Sequence, residues 1–285
     1  MNKRNVLLAG MIIGIFISIA AALLYYSFSD YREYDRGDET YHNLAEEVID
    51  SDDTDNRGTA VYEKESEGSD ENPGPHSASG QQDDVAEGKP ETLIKDQTDL
   101  PTIDFDALKA INGDVIGWIY APDSEINYPI VKGSDDEFYL DHLFDGSKNK
   151  NGCLFVEQKN NPDFSDDNTV IYGHNMASGS MLAGILRYEK KGYIDTHPYM
   201  FIFTEDKNYR MEILSGYVTE PESEAYKIRL GGTEGFRQWI LDVAKKSVFN
   251  VNMKLTTKDR MVTLSTCSYE YKNARFVLHG RLVEM

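Results

Sequence analysis

The 285-residue chain has only two cysteines, and they do not form a Cys-x-x-Cys pair. Its six histidines are scattered, without the His-x-x-x-His spacing of helical metal sites. A glycine-rich phosphate-binding loop is missing as well. These absences argue against a structural zinc site, a metal-dependent enzyme and a nucleotide-binding enzyme. No metal or other cofactor is therefore expected.

Charge is absent between positions 6 and 28. These 23 residues would form about 34 Å of helix at about 1.5 Å per residue, enough to cross a hydrocarbon core of about 30 Å. Lys3 and Arg4 precede the segment and acidic residues follow it, so the positive charge keeps residues 1–5 in the cytoplasm. Residues 6–28 are therefore predicted to be a single transmembrane helix. The rest of the chain would lie on the extracellular face of the cell membrane.

A cleaved signal peptide is the alternative for this segment. Ala20, Ala21 and Ala22 would offer a small-residue cleavage site. However, the apolar run continues through Leu24 and Tyr26, where a cleaved signal would turn polar. An uncleaved signal anchor is therefore favoured, and the absence of a nearby cysteine excludes a lipoprotein anchor.

Apolar residues are scarce between positions 30 and 99. Only seven of these 70 residues are Leu, Ile, Val or Phe, while 22 are acidic and 6 are basic, for a net charge of −16. A segment with so little apolar surface and so much like charge cannot bury enough area to fold. Residues 29–99 are therefore predicted to be an acidic disordered linker, either a tether through the cell wall or a plain spacer.

The remaining residues, 100–285, are predicted to form one folded domain. The whole chain has a net charge of −20. Because the linker contributes −16 and the two basic residues near the N-terminus contribute +2, the domain has a net charge of −6. It has no basic stripe, which argues against nucleic acid as a partner.

Eight short apolar stretches of this domain have the length and composition of β-strands. Helices are predicted at 104–112 and 233–249. Five residues of the second helix form an apolar stripe: Phe236, Trp239, Ile240, Val243 and Val248. Strands and helices do not alternate strictly, so a doubly wound sheet is disfavoured. The pattern predicts a mostly β fold with added helices, either a barrel or a sandwich.

Cys267 stands at the end of the predicted strand DRMVTLSTC, where a thiol can be held rigid and open. A nucleophilic cysteine needs a base or a cation nearby, because the thiolate is the reactive species. His174 is the first candidate base, since it ends the strand NTVIYGH beside a polar loop. His279, inside the last strand, ranks second. Cys153 lies in an apolar strand and is predicted to be a small buried hydrophobic residue.

Arg275 follows Cys267 by eight residues and opens the last strand. It alternates with Val277 and His279, so the three side chains are predicted to share a face. A guanidinium can donate two parallel hydrogen bonds to a substrate carbonyl or a developing oxyanion. The alternative is a surface arginine paired with an acid such as Glu270.

The element TLSTC with Arg275 after a short turn, and YGHNM upstream, form a specific combination. The stretches DFDALKAINGDVIGWIYAPDSEINYPIV, NGCLFVE and NTVIYGHNMASGSMLAGILRYE precede it. Together these segments resemble those of the class B branch of the sortases and follow one another in the same order. The resemblance covers about residues 100–285. The resemblance implies a closed β-barrel of about eight strands, with an N-terminal helix and a long helix before the cysteine strand.

The resemblance also implies a cysteine transpeptidase that uses no metal. Cys267 would attack the threonine carbonyl of a C-terminal sorting signal, often of the Asn-Pro-x-Thr type, on a secreted protein. His174 would serve proton transfer, and Arg275 would orient the substrate and stabilise the oxyanion. An amine of the peptidoglycan would then resolve the thioester. The expected substrate-binding residues are Tyr172, Ser265 and Thr266.

Three alternatives stay open at this point. A pilin-polymerising sortase would use a lysine of another subunit as the acceptor, although the chain has no obvious lid segment ahead of the helix at 104–112. Another thiol enzyme of the wall, such as an L,D-transpeptidase, would require a Ser-His-Gly-Cys core that is missing here. A non-catalytic, membrane-anchored binding module would use Cys267 only structurally, and its thiol would resist alkylation.

Overall fold

The structure is a computed structural model that describes residues 3–50 and 100–285. Side chains are described for residues 15–49 and 100–285. Residues 51–99 of the predicted linker lie outside the described residues. The side chains of residues 6–14, which begin the predicted anchor, lie outside them too.

The described residues contain four α-helices and ten strands. The helices are α1 (Lys3–Val48), α2 (Phe105–Ile111), α3 (Tyr193–Thr196) and α4 (Gly232–Lys246). The first strands are β1 (Ile49–Asp50), β2 (Thr102–Ile103), β3 (Val115–Tyr120), β4 (Asn127–Val131) and β5 (Leu154–Val156). The others are β6 (Asn168–Tyr172), β7 (Tyr199–Phe203), β8 (Asn208–Thr219), β9 (Arg260–Cys267) and β10 (Arg275–Glu284). Short 3₁₀ helices span Phe138–Leu140, Leu182–Glu189 and Glu224–Tyr226.

Eight of these strands close into a barrel in the order β10-β8-β7-β3-β4-β5-β6-β9. Two neighbouring pairs, β4–β5 and β6–β9, are parallel, and the other pairs are antiparallel. Closure removes the exposed strand edges of an open sheet. The predicted eight-stranded closed barrel with added helices is confirmed, and the sandwich alternative is wrong.

Helix α4 covers the outer face of β8, β9 and β10. Its residues Phe236, Trp239 and Val243 are buried and pack with Tyr217 and Val277 of the sheet. The helix was predicted to extend to residue 249, but it ends at Lys246 and leaves Val248 54% exposed. The chain turns there because the Val248 amide donates to the carbonyl of Gly216 on β8 instead of continuing the helix.

Helix α1 corrects the predicted boundary of the linker. It continues through Val48, so residues 29–48 are helical where the sequence predicted disorder. Tyr41, Leu44 and Val48 recur at helical spacing and are buried. The Tyr41 hydroxyl donates to the carbonyl of Gly152 at 2.6 Å. A mean composition over 70 residues conceals this local stripe, which gains its apolar partner only from the folded domain.

Among the residues that the structure describes, no helix is long and apolar enough to cross a membrane.

Candidate active site

The ends of two parallel strands bring the predicted base and nucleophile to one edge of the barrel. In the β6–β9 pair, Tyr172 lies opposite Ser265. His174 and Cys267 each follow two residues later on their own strands, so they leave the sheet side by side. Cys267 is half-buried, and it is one of two free cysteines among the described residues.

Two side-chain hydrogen bonds link the segments that carry these residues. The Thr266 hydroxyl donates to the carbonyl of Gly173 at 2.8 Å. The Asn175 amide donates to the carbonyl of Cys267 at 2.9 Å. A Cβ on Gly173 would stand 2.3 Å from a methyl carbon of Leu154, so only glycine fits directly before the histidine. These contacts on the residues before and after His174 therefore fix its position relative to Cys267.

Arg275 lies directly opposite Cys267 in the antiparallel β9–β10 pair. The intervening turn contains Asn273 in the left-handed region, at φ 66°. One guanidinium nitrogen of Arg275 donates to the carbonyls of Asn273 and Ala274, both at 3.2 Å. None of the ion pairs found among the described residues joins Arg275 to Glu270. The guanidinium, which has five N–H donors, keeps others for a ligand.

The His174 ring is oriented by main-chain atoms of another loop. Its Nε2 lies 2.6 Å from the carbonyl oxygen of Leu140. Since a carbonyl oxygen only accepts, Nε2 carries the hydrogen. The adjacent ring carbon, Cδ2, is only 3.1 Å from the position that a Cβ on Gly152 would take, and Gly152 has φ +60°. None of the hydrogen bonds found among the described residues uses Nδ1, the other ring nitrogen of His174.

All six predicted site residues line one cavity of about 260 Å³. Its lining comprises Asp136, Leu140, Phe155, Glu157, Tyr172, Gly173, His174, Pro221, Tyr226, Ser265, Thr266, Cys267 and Arg275. Cavities of about 780 and 730 Å³ lie elsewhere, and no cysteine lines them. The smaller cavity is the candidate site because it alone of these three joins a thiol to a base and a cation.

Sequence reasoning missed several lining residues of the cavity, among them Tyr226 and Glu157. Tyr226 lies in the segment between β8 and α4, and its hydroxyl is 3.0 Å from the Ser265 hydroxyl. Glu157 directly follows β5 and accepts a hydrogen bond from Tyr172 at 2.9 Å. An acid at a strand end was a usable signal for Glu157. Tyr226 gave no such signal, because its segment has no regular pattern and reaches the site only through tertiary contacts.

The tyrosines of the cavity are neutral, and the Tyr172 hydroxyl donates a hydrogen bond to Glu157. Burial raises the pKa of Tyr172, and the negative charge of Glu157 raises it further. Burial also raises the pKa of Tyr226, against a smaller lowering by the hydrogen bond to Ser265. Their rings stack with centroids 6.0 Å apart. The wall between the thiol and Glu157 is therefore aromatic and lined with hydroxyl groups.

The second candidate base and the second thiol lie outside this cavity. His279 is fully buried beneath Trp239, with Nδ1 2.8 Å from the Thr263 hydroxyl and Nε2 3.2 Å from the Tyr217 hydroxyl. Burial lowers its pKa to about 3, so it is a neutral structural residue. Cys153 is 1% exposed, as predicted, and burial raises the pKa of its thiol to about 12.

Comparison with known proteins agrees with this geometry. The sequence profile of the sortase domain matches residues 119–283, more than half of the chain. The chain belongs to the sortase family. It is therefore a cysteine transpeptidase, and the relatives that it matches are of the sortase B type. The sortase fold accounts for the closed eight-stranded barrel.

Three relatives show the extent of the similarity. Sortase B of Listeria monocytogenes is 36% identical over 178 residues, which cover 62% of this chain and 72% of that protein. The structure of Clostridium perfringens sortase B is 32% identical, with a TM-score of 0.60, and the match covers 63% of this chain and all of that one. A Staphylococcus aureus sortase B–substrate complex is 26% identical, with a TM-score of 0.60, covering 64% and 85% of the two chains.

Proposed function

We propose that this sortase cleaves a C-terminal sorting signal after threonine and transfers the secreted protein to a peptidoglycan amine. The observation that supports this reaction is the meeting of Cys267, His174 and Arg275 at one cavity. Each group comes from a different strand end, and the three together supply a nucleophile, a proton carrier and an oxyanion donor. The substrate complex of the Staphylococcus aureus relative supports a peptide as the ligand of this cavity.

The first half of the reaction forms a thioester. The Cys267 thiol gives its proton to His174, its sulfur attacks the carbonyl carbon of the threonine, and the oxygen of that carbonyl takes up the electron pair. When the tetrahedral intermediate collapses, the C–N bond breaks and the leaving amine takes a proton from His174. Nδ1 is the nitrogen that gives this proton, because Nε2 is bonded to the carbonyl of Leu140. The product is an acyl-enzyme with the thioester on Cys267.

The second half releases the product. An amine of the acceptor attacks the thioester carbon and loses a proton to His174, and the C–S bond breaks to return the thiolate. Arg275 serves both halves, since its remaining N–H donors stabilise negative charge on the same oxygen. Water in place of the amine would give hydrolysis, which makes the enzyme a thiol peptidase in the absence of an acceptor.

The other residues that are predicted to bind substrate also make contacts within the protein. The Thr266 hydroxyl is already bonded to the carbonyl of Gly173, and Ser265 is paired with Tyr226. Tyr172 presents its ring to the cavity. Thr266 and Ser265 therefore act on substrate mainly by shaping the cavity wall, and Tyr172 acts by contact with the bound peptide.

The membrane anchor belongs to the same proposal. Residues 6–28 contain no charged residue, and a stretch of this length and composition is typical of a membrane span. Such an anchor would place residues 1–5 in the cytoplasm and the barrel on the extracellular face, where secreted proteins and peptidoglycan are both found. Residues 51–99 have the composition of a solvated spacer.

The test uses the full chain in detergent with peptides of the Asn-Pro-x-Thr and Leu-Pro-x-Thr types and an added amine. Mass spectrometry should find cleavage after threonine, a thioester on Cys267 and an amine-linked product. Cys267→Ala should give none of these, while Cys153→Ala should retain them. If every peptide stays intact and Cys267 also resists alkylation in the folded protein, the proposed reaction is wrong.

A further inference from the structure

The turn of residues 149–152 lies between helix α1 and the His174 ring. The Gly152 amide closes this turn by donating to the carbonyl of Asn149 at 3.1 Å. Asn149, Asn151 and Gly152 are buried, and they contact α1 on one side and the active site on the other. One turn of main chain therefore separates the helix from the predicted base.

On the helix side, the 149–152 turn packs at Gly37. A Cβ on Gly37 would stand 2.5 Å from Nδ2 of Asn151 and 2.9 Å from Oδ1 of Asn149, so a larger residue would displace the turn. Glycine is a poor helix former, and this close approach explains its presence within α1. The two amides are also tied to the helix, because Asn149 Nδ2 donates to the carbonyl of Glu33 at 2.9 Å and Asn151 Nδ2 donates to that of Tyr34 at 3.1 Å.

Tyr41, one helical turn beyond Gly37, binds the other end of the 149–152 turn. Its hydroxyl donates to the carbonyl of Gly152 at 2.6 Å and accepts from the amide of Phe144 at 3.2 Å. The ion pair between Lys150 and Asp30 is exposed and adds little. The buried contacts at Gly37 and Tyr41 therefore determine where the turn lies on the helix.

On the site side, Gly152 contacts both the His174 ring and the carbonyl group that orients it. A Cβ on Gly152 would stand 3.1 Å from Cδ2 of His174 and 2.8 Å from the carbonyl oxygen of Leu140. That oxygen lies 2.6 Å from His174 Nε2 and accepts its hydrogen bond. The next amide, that of Cys153, donates to the carbonyl of Tyr139 at 2.9 Å. A shift of the turn would therefore move the ring and its hydrogen-bond acceptor together.

We propose that α1 positions His174 for proton transfer, with Gly37 and Tyr41 as positioning residues that act through the 149–152 turn. Neither residue lines the active-site cavity, so their effect reaches the reaction only through the ring. This inference rests on the proposed function, since proton transfer by His174 belongs to it. A helix that only covered apolar surface would contribute to stability but not to the orientation of the ring, and the two roles can be measured separately.

The orientation of the ring can be measured without a substrate. The full chain in detergent, with ¹⁵N-labelled histidine and at about pH 8, where ordinary imidazoles are neutral, should show one tautomer of His174 with its hydrogen on Nε2. The spectrum of His174→Gln identifies these signals. Gly37→Ala and Tyr41→Phe should shift them and populate the other tautomer, because the carbonyl of Leu140 is no longer held against Nε2. The signals of His279, which contacts Thr263 and Tyr217, serve as an internal reference.

Single-turnover acylation measures the catalytic consequence. With a peptide of the Asn-Pro-x-Thr type, we expect Gly37→Ala to lower the rate at saturating peptide about tenfold to a hundredfold, as a misplaced catalytic group does. The half-saturating peptide concentration should change much less, since the variant displaces a proton carrier. Tyr41→Phe removes a hydroxyl without creating a clash, so it should have the smaller effect.

Two controls separate positioning from stability. Gly113→Ala is the matched glycine control, because Gly113 is exposed and a Cβ there would meet nothing within 4 Å. Val48→Ala removes a buried side chain from the same helix, about 10 Å beyond Tyr41. It should lower the melting temperature but leave the His174 signals unchanged. Both controls should retain the acylation rate of the unmodified chain.

The outcomes separate this inference from the proposed function. Unchanged His174 signals in both Gly37→Ala and Tyr41→Phe would overturn the inference, whatever the rates. An equal shift in Val48→Ala would overturn it too, because the shift would then report a general loosening of the helix. Changed signals with an unchanged acylation rate would contradict a role in proton transfer. If the unmodified chain forms no thioester, the proposed function fails, and the ring signals alone decide whether α1 positions the histidine.

Discussion

Arg275 and Cys267 form a directly opposed residue pair across the antiparallel strands β9 and β10. This register explains why eight residues separate them in sequence although they share one cavity. The turn between them includes Asn273 at positive φ and reverses the direction of the chain. The thiol and the guanidinium are therefore set by one hairpin, independently of the loops around them.

Removing the guanidinium should slow the chemical step. We expect Arg275→Ala to reduce the rate of acyl-enzyme formation about 10²- to 10³-fold, the usual cost of one oxyanion donor. Arg275→Lys keeps the charge but loses the planar pair of donors, so it should recover only part of this loss. Single-turnover mass spectrometry at saturating peptide measures the step. A lysine variant as fast as the unmodified enzyme would show that charge alone is enough.

The two thiols should differ sharply in reactivity. Cys267 is half-buried at the cavity, whereas burial raises the pKa of Cys153 to about 12. A thiol-directed alkylating reagent at neutral pH should therefore modify Cys267 and spare Cys153 until the protein is unfolded. Peptide mapping after brief labelling distinguishes the sites. Labelling of Cys153 at a similar rate would contradict the burial seen here.

His279 should make stability depend on pH in a defined window. Burial lowers its pKa from 6.5 in the unfolded chain to about 3 in the folded protein. Between these values the unfolded chain binds the extra proton, so stability is full above about pH 6.5 and falls as the pH drops towards 3. The slope from this group is about 1.4 kcal/mol per pH unit.

The variant His279→Gln isolates that slope. It should be less stable at neutral pH, because it disturbs the contacts with Thr263 and Tyr217, yet its stability should fall less steeply from pH 6.5 to 5. Denaturant unfolding at several pH values gives the difference. All carboxylates are common to both proteins, so parallel curves would show that His279 does not titrate as described.

The packing of α1 on the domain has its own test. The buried Tyr41 hydroxyl donates to the carbonyl of Gly152 and accepts from the amide of Phe144. Tyr41→Phe leaves both main-chain groups without this partner, so we expect a loss of about 1–3 kcal/mol of unfolding free energy. Tyr31→Phe on the same helix, 67% exposed, is the matched control and should change little. Equal stability of the two variants would mean that the Tyr41 hydroxyl does not stabilise the fold.

The strands could be predicted because each is a short apolar run bounded by turn residues, and β9 and β10 illustrate this well. Barrel closure could not be derived from the residues alone, since the same runs suit a sandwich. The reacting groups could be proposed because Cys267, His174 and Arg275 stand at strand ends. Tyr226 could not, because its place depends on contacts such as the one from Trp239 to the carbonyl of Glu224.

The error over residues 29–48 has a different physical cause. Composition measures whether a segment can bury enough apolar area by itself, and by that criterion these residues fail. The helix is stabilised instead by a surface that the rest of the chain supplies, with polar contacts such as Asn149 to the carbonyl of Glu33. An average over the acidic segment cannot register a partner that lies more than 100 residues away in sequence.

The continuity of α1 has a consequence for reach. The helix that begins at Lys3 contacts the folded domain from Asp30, which pairs with Lys150, to the buried Val48. With residues 6–28 in the membrane, as proposed, the twenty residues that follow, about 30 Å of helix, would lie along the domain and hold it directly at the membrane. The active site would then lie at a fixed distance from the membrane and in a fixed orientation. A flexible tether would instead let it move through a larger volume. Selection among secreted proteins would depend partly on whether their sorting signals reach that distance from the membrane.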